Sequence, residues 1–150
     1  AYDSATPSGN GLLMGCLARL FYLTGEGRYA ESAEQLQAAF AGELARNAFS
    51  LATFLNNVEL YRSAVQVVVV GDPAKEDTQA LLHTVTGGCL PNRVLVQVPP
   101  GKELPPDHVA AGKTSAVQQA TAYVCRGTTC GLPITDPEML AQSLAQSAAG

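Results

Sequence analysis

The sequence has no tryptophan, only two histidines, and nine lysine and arginine residues, no two of them adjacent. Cations this scattered, in a chain of net charge −4, argue against nucleic acid as a partner, because gripping phosphates needs positive charge concentrated on one surface. No apolar span reaches the ~18 residues that suggest a membrane helix, and no basic segment leads into an apolar run as in a signal peptide. These absences point to a soluble cytoplasmic protein with neither a membrane nor a nucleic-acid partner. Also missing are G-x-G-x-x-G and G-x-x-x-x-G-K-[ST], the glycine-rich loops that cradle phosphates. His83 and His108 stand in no ligand-like spacing, and of the four cysteines only Cys125 and Cys130 are close in sequence. Structural zinc wants four ligands, usually as two close pairs, so neither a metal nor a cofactor is expected.

What is present is an apolar fraction of 47% in 150 residues, enough for the core of one domain or of two small pieces. The first 63 residues carry a helical period. Pro7-Ser8-Gly9-Asn10 reads as a helix start, and Leu12, Leu13, Cys16, Leu17, Leu20 and Phe21 form an apolar band after it. Gly25-Glu26-Gly27 breaks the band, and Tyr29, Ala33, Leu36, Phe40 and Leu44 make a second stripe, which predicts an αα-hairpin. A third helix is expected from about Ser50, with Leu51, Phe54, Leu55, Val58 and Tyr61 on one face.

At Val65 the period changes. Val65–Val70 is a β-branched run closed by Gly71-Asp72-Pro73, the pattern of a strand buried on both faces. A helix with Leu81, Leu82 and Val85 follows, then a strand over Arg93–Val98, a proline-rich connection from Pro99 to about Gln119, and a third strand near Thr121–Arg126. Asp136-Pro137-Glu138 opens the last helix as an N-cap with proline at the first helical position. The fold class is therefore α/β: helical hairpins over residues 1–63, then a small three-stranded, mainly parallel α/β domain over 64–150. Val65–Val70 is expected at the centre of the sheet, with both neighbours parallel to it. The chain opens Ala1-Tyr2-Asp3 without a methionine, which suggests a fragment of something longer.

The stretch PSGNGLLMGCLARLFYLTGEGRYAESAEQLQAAF resembles one hairpin of an (α/α) toroid, the architecture of six-hairpin glycosidases and N-acylglucosamine 2-epimerases. Followed by VVVVGDPAKEDTQALL, CLPNRVLV and TAYVCRGTTCGLPITDPEML, it is similar to the carboxyl-terminal end of thioredoxin domain-containing proteins of the spermatogenesis-associated type. The likeness covers nearly the whole chain in the same order, and its closing segment is the most specific part. Proteins of that family are several times longer, with a thioredoxin-like domain first, then the toroid, then this tail. The resemblance implies that the helices here end a toroid whose other hairpins lie outside these residues. It also implies a carboxyl-terminal structural or interaction region with no complete catalytic site, whose first partner is the remainder of the parent protein. The alternative is part of a carbohydrate-processing or thiol-redox enzyme. Apolar stripes left without their toroid neighbours are expected to associate, so a homo-oligomer through the helical region is a further expectation.

Three places in the sequence are candidate sites. Cys125 and Cys130 are the candidate redox pair: a redox centre, half of a metal site, a disulfide and two packing thiols are all open to this spacing. A thioredoxin-type centre wants C-x-x-C at a helix start, whereas Cys125 falls at the end of a predicted strand and Cys130 in a predicted loop. A disulfide is possible if the strand turns back on itself, but a cytoplasmic protein would keep it reduced, so two reduced, slowly reacting thiols are expected. The second candidate is a ligand-binding helix start at Asp3, Ser8 and Asn10, against which stands ordinary capping; Asp3 has no evident carboxylate partner for sugar chemistry. The third is Asp72, just past the first strand, where open α/β sheets bind ligands; a turn or cap role competes with it.

Overall fold

The structure is a computed structural model, and it describes residues 2–115 and 119–148. The chain divides into two compact units, Ala1–Ala64 and Val65–Gly150.

The first unit is helical. Helix α1 (Gly9–Thr24) is capped by Ser8, whose Oγ accepts the Gly11 amide, and ends at Gly25 in the left-handed conformation. Helix α2 (Gly27–Asn47) returns beside it, and a 3-10 turn (Ala48–Leu51) leads into α3 (Ala52–Ser63). The core joins Met14, Ala33, Leu51, Phe54 and Val58, with Leu17, Leu36, Phe40, Leu44 and Tyr61 packed around it. The stripe on α2 thus faces inward from Ala33 to Leu44, while Leu55 of α3 stays exposed.

On α1 the buried side is not the expected one. The buried residues are Gly11, Met14, Gly15, Ala18 and Tyr22. Leu12, Leu13, Leu20 and Leu23 are between 38% and 53% exposed, and Cys16 is exposed with them. The cause is close approach to α3. A Cβ on Gly11 would lie 2.8 Å from Thr53 Cγ2, and one on Gly15 would lie 2.5 Å from Asn57 Oδ1. Asn57 Nδ2 donates to the carbonyls of Gly11 and Thr53 at 3.1 and 2.9 Å, tying the two helices together where large side chains cannot fit. A count of apolar residues selects the leucines, whereas packing selects the small ones.

The second unit is a mixed α/β layer. Strand β1 (Val65–Val70) sits inside a four-stranded sheet of order β2-β1-β3-β4, with β2 at Arg93–Val98, β3 at Thr121–Arg126 and β4 at Thr129–Cys130. All six residues of β1 are buried. One face of the sheet, from Val65, Val67 and Val69, packs on Leu81 and Val85 of α4 (Glu76–Gly87) and on Leu140 and Leu144 of α5 (Pro137–Ala148). The other face, from Val68, Val70, Val98, Tyr123 and Cys125, is covered by Leu104, Val109 and Ala110 of the β2–β3 connection. Asp136 caps α5 as expected, its Oδ1 accepting the amides of Glu138 and Met139.

Two expectations are corrected. β2 runs parallel to β1, but β3 runs antiparallel to it, Val70 facing Thr121 and Val65 facing Arg126. The sheet also has a fourth strand instead of three. The orientation follows from the connection. β2 finishes at Val98 beside the carboxyl end of β1, and among the described residues no helix follows to carry the chain back along the sheet, so it crosses over the strand ends and enters β3 from the same side. A parallel pair needs a crossover that returns to the starting edge, usually a helix.

Candidate functional site

At the start of α1 the candidate ligand groups serve the backbone. Asp3 Oδ1 accepts the Ser8 amide at 2.8 Å and Oδ2 accepts the Thr53 amide at 2.7 Å, so one carboxylate ties the starts of α1 and α3. Those two backbone donors, Thr53 first, hold the Asp3 carboxyl below its ordinary range. Ser8 is buried under its capping bond to Gly11. Asn10 lies half-buried in the first turn.

The cysteine pair departs from expectation. Cys125 of β3 faces Cys130 of β4, and the two are joined in a disulfide with Cα atoms 3.9 Å apart. The expectation of reduced thiols, with Cys130 in a loop, is therefore overturned. The chain turns back at Gly127-Thr128 between the paired residues Arg126 and Thr129. Gly127 has φ of 53°, the left-handed region that the first position of a tight hairpin turn demands. The Gly131 amide donates to the Val124 carbonyl at 2.9 Å, which sets the two cysteines directly opposite each other. Gly127-Thr128 directly after the strand-like Thr121–Arg126 was the available signal. Cys125 is fully buried and Cys130 half-buried beneath Val109.

The third place is the carboxyl end of the parallel pair. Asp72 is a turn residue there, its Oδ1 accepting the Ala74 amide and its carbonyl the Lys75 amide, both at 3.0 Å. It also lines a hollow of about 360 Å³ together with Lys75, Asp77 and Ser115. Asp77 opens α4. Its Oδ2 accepts the Ala120 amide at 2.9 Å and its Oδ1 the Thr78 amide at 2.7 Å, and these bonds, Ala120 first, hold its carboxyl low. A second hollow of about 570 Å³ lies under residues 100–104 and 111–115. Sequence reasoning reached Asp72 and missed this larger hollow, because its walls come from irregular backbone with no periodicity to read.

With this geometry in place, comparison with known proteins gives one answer. The chain is similar to spermatogenesis-associated protein 20. It is 30% identical to the Homo sapiens protein over 142 residues, covering 90% of this chain and 18% of that one. It is 31% identical to the Rattus norvegicus protein over 151 residues, covering 96% of this chain and 19% of that one. The Mus musculus protein gives 30% over 151 residues with the same coverage, 96% and 19%. At 96% coverage the similarity to spermatogenesis-associated protein 20 runs through both the helical unit and the mixed sheet. The chain spans about a fifth of the length of these relatives. No family model matches it, and no solved structure matches it. Among the described residues, no helix is long and apolar enough to cross a membrane.

Proposed function

We propose that this chain is the carboxyl-terminal structural and interaction region of a longer protein, its helical unit closing an (α/α) toroid. The observation that carries this reading is the outer side of α1, where Leu12, Leu13, Leu20 and Leu23 form an exposed apolar stripe. α1 is apolar on both sides, and a helix of that kind belongs in the interior of a larger assembly. The partner is the remainder of the parent protein. In its absence the stripe is expected to pair with a second copy, since exposed apolar patches of this kind associate. Light scattering on a size-exclusion column, over a range of concentrations, should show a dimer or larger species for this chain. Leu13→Glu with Leu20→Glu should return a folded monomer. A chain that is monomeric at every concentration would remove the support for this reading.

The disulfide favours a second reading, a reversible thiol pair. The loop it closes is short, with Cys125 and Cys130 five residues apart, so constraint of the unfolded chain contributes about 2 kcal/mol. Reduction should therefore lower stability by about that amount in a urea titration and leave the fold in place. A reduced chain that no longer folds would give the bond a purely structural role.

A further inference from the structure

We propose that the cleft at the carboxyl ends of β1 and β2 binds a small phosphorylated molecule through Lys75, Lys102 and Lys113. These are all the lysines the sequence contains, and every one lines one of the two hollows, which meet at Pro100 and Ser115. The chain as a whole is acidic, so the convergence of its lysines at one end of one sheet is not a general property of its surface. Among the described residues neither Lys102 nor Lys113 forms an ion pair, while the charge of Lys75 helps to hold the Asp77 carboxyl low.

Lys113 is also held in place. Its Nζ lies 5.3 Å from the centre of the Tyr123 ring, and the Tyr123 hydroxyl donates to the Thr114 carbonyl at 2.7 Å. The ring is thereby fixed and its face holds the ammonium at the wall of the cleft. Asp72 and Asp77 line the smaller hollow beside Lys75 and accept one and two backbone amides. Such bonds do not remove a carboxylate's negative charge, so the excess of positive charge lies in the larger hollow, with Lys102 and Lys113. Glu103 is the acidic residue that lines the larger hollow together with Lys102 and Lys113.

The chemistry of the walls selects the ligand class. Lysine acts on a phosphate as a point charge, and several ammonium groups together match a group that carries more than one negative charge. Thr114 and Ser115 add hydroxyl donors beside them. Val70, Leu104 and Ala111 give the larger hollow an apolar side on which the body of such a molecule can lie. Its volume of about 570 Å³ suits a ligand of sugar-phosphate to nucleotide size. The position is the one where strand ends of an open α/β sheet leave a crevice, here roofed by the β2–β3 connection.

The test is a titration of the full chain, followed by amide proton–nitrogen correlation spectra, with glucose 6-phosphate and adenosine monophosphate. Glucose and adenosine run alongside as the same bodies without the phosphate. The phosphorylated compounds should give saturable shifts at Gly101, Gly112, Lys113 and Thr114, and their parents should not. Lys102→Gln with Lys113→Gln should weaken binding about tenfold or more, while the matching arginine pair keeps most of it. An unchanged spectrum elsewhere in either variant certifies that the fold is intact. Shifts that follow the unphosphorylated parents equally, or that grow without saturating as salt alone would make them, would overturn the proposal.

Discussion

Phe54→Ala should destabilise the helical unit by about 3–5 kcal/mol, the range for removing a buried phenylalanine. Phe54 is fully buried, and its ring lies 5.2 Å from that of Phe40, so truncation removes an aromatic pair as well as volume. The void cannot easily close. Gly11 already brings α1 against the Phe54 backbone, with a Cβ position only 3.0 Å from its nitrogen, and the Asn57 bonds fix that separation. Urea titration followed by far-ultraviolet circular dichroism should show a lower midpoint for the helical signal with little change in slope. A loss under about 1 kcal/mol, far below that range, would mean that α1 and α3 can collapse together, and that the small-residue seam is not rigid.

Gly71→Val should be nearly as damaging, by about 3 kcal/mol, at the upper end of what overpacking costs. Gly71 follows β1, and its carbonyl accepts from Gln97 Nε2 at 2.9 Å while its amide donates to Val98. A Cβ there would sit 2.4 Å from Thr78 Oγ1 and 2.9 Å from Ala120 Cβ. Neither neighbour is the free end of a flexible chain: Thr78 is fully buried at the start of α4, and Ala120 is held by its amide on Asp77. Replacing a glycine normally gains ~0.4–1 kcal/mol by restricting the unfolded chain, so a net loss would isolate the crowding. Gly71→Ala should lose less than valine by the same titration. A neutral valine variant would show that the β1–α4 turn has room to shift.

The sequence made some of this legible and hid the rest for identifiable reasons. Four consecutive valines could only be a strand buried on both faces, and β1 is one. Asp136-Pro137 marked the start of α5 because capping chemistry is local. The orientation of β3 was not local. It depends on where the connection after Val98 re-enters the sheet, and no residue in that connection encodes a direction. The buried face of α1 was misjudged because Gly11, Gly15 and Ala18 carry little hydrophobic weight, and their role is to let α3 approach. The hairpin of Cys125 and Cys130 was missed where β4 is two residues long, too short for any periodicity. At the candidate sites, the sequence singled out Asp3 and Asp72, whose carboxylates accept backbone amides in the structure. Their occupation by backbone amides is a matter of geometry that residue types alone leave open.

The strand order also gives the sheet two unlike borders. On one side the last strand is two residues long and pinned by a disulfide, which leaves little backbone for a foreign strand to copy. On the other side β2 presents six residues, and among the described residues no strand lies beyond it. Natural sheets usually guard such a border with charge. The single charged residue of β2 is Arg93, and its guanidinium is turned onto the carbonyls of Val85 and Gly88 at the end of α4. The rest of the strand, Val94-Leu95-Val96-Gln97-Val98, is uncharged, rich in β-branched residues and free of proline, the composition that favours edge-to-edge aggregation. When this protein precipitates, β2 is the border across which its sheets would join.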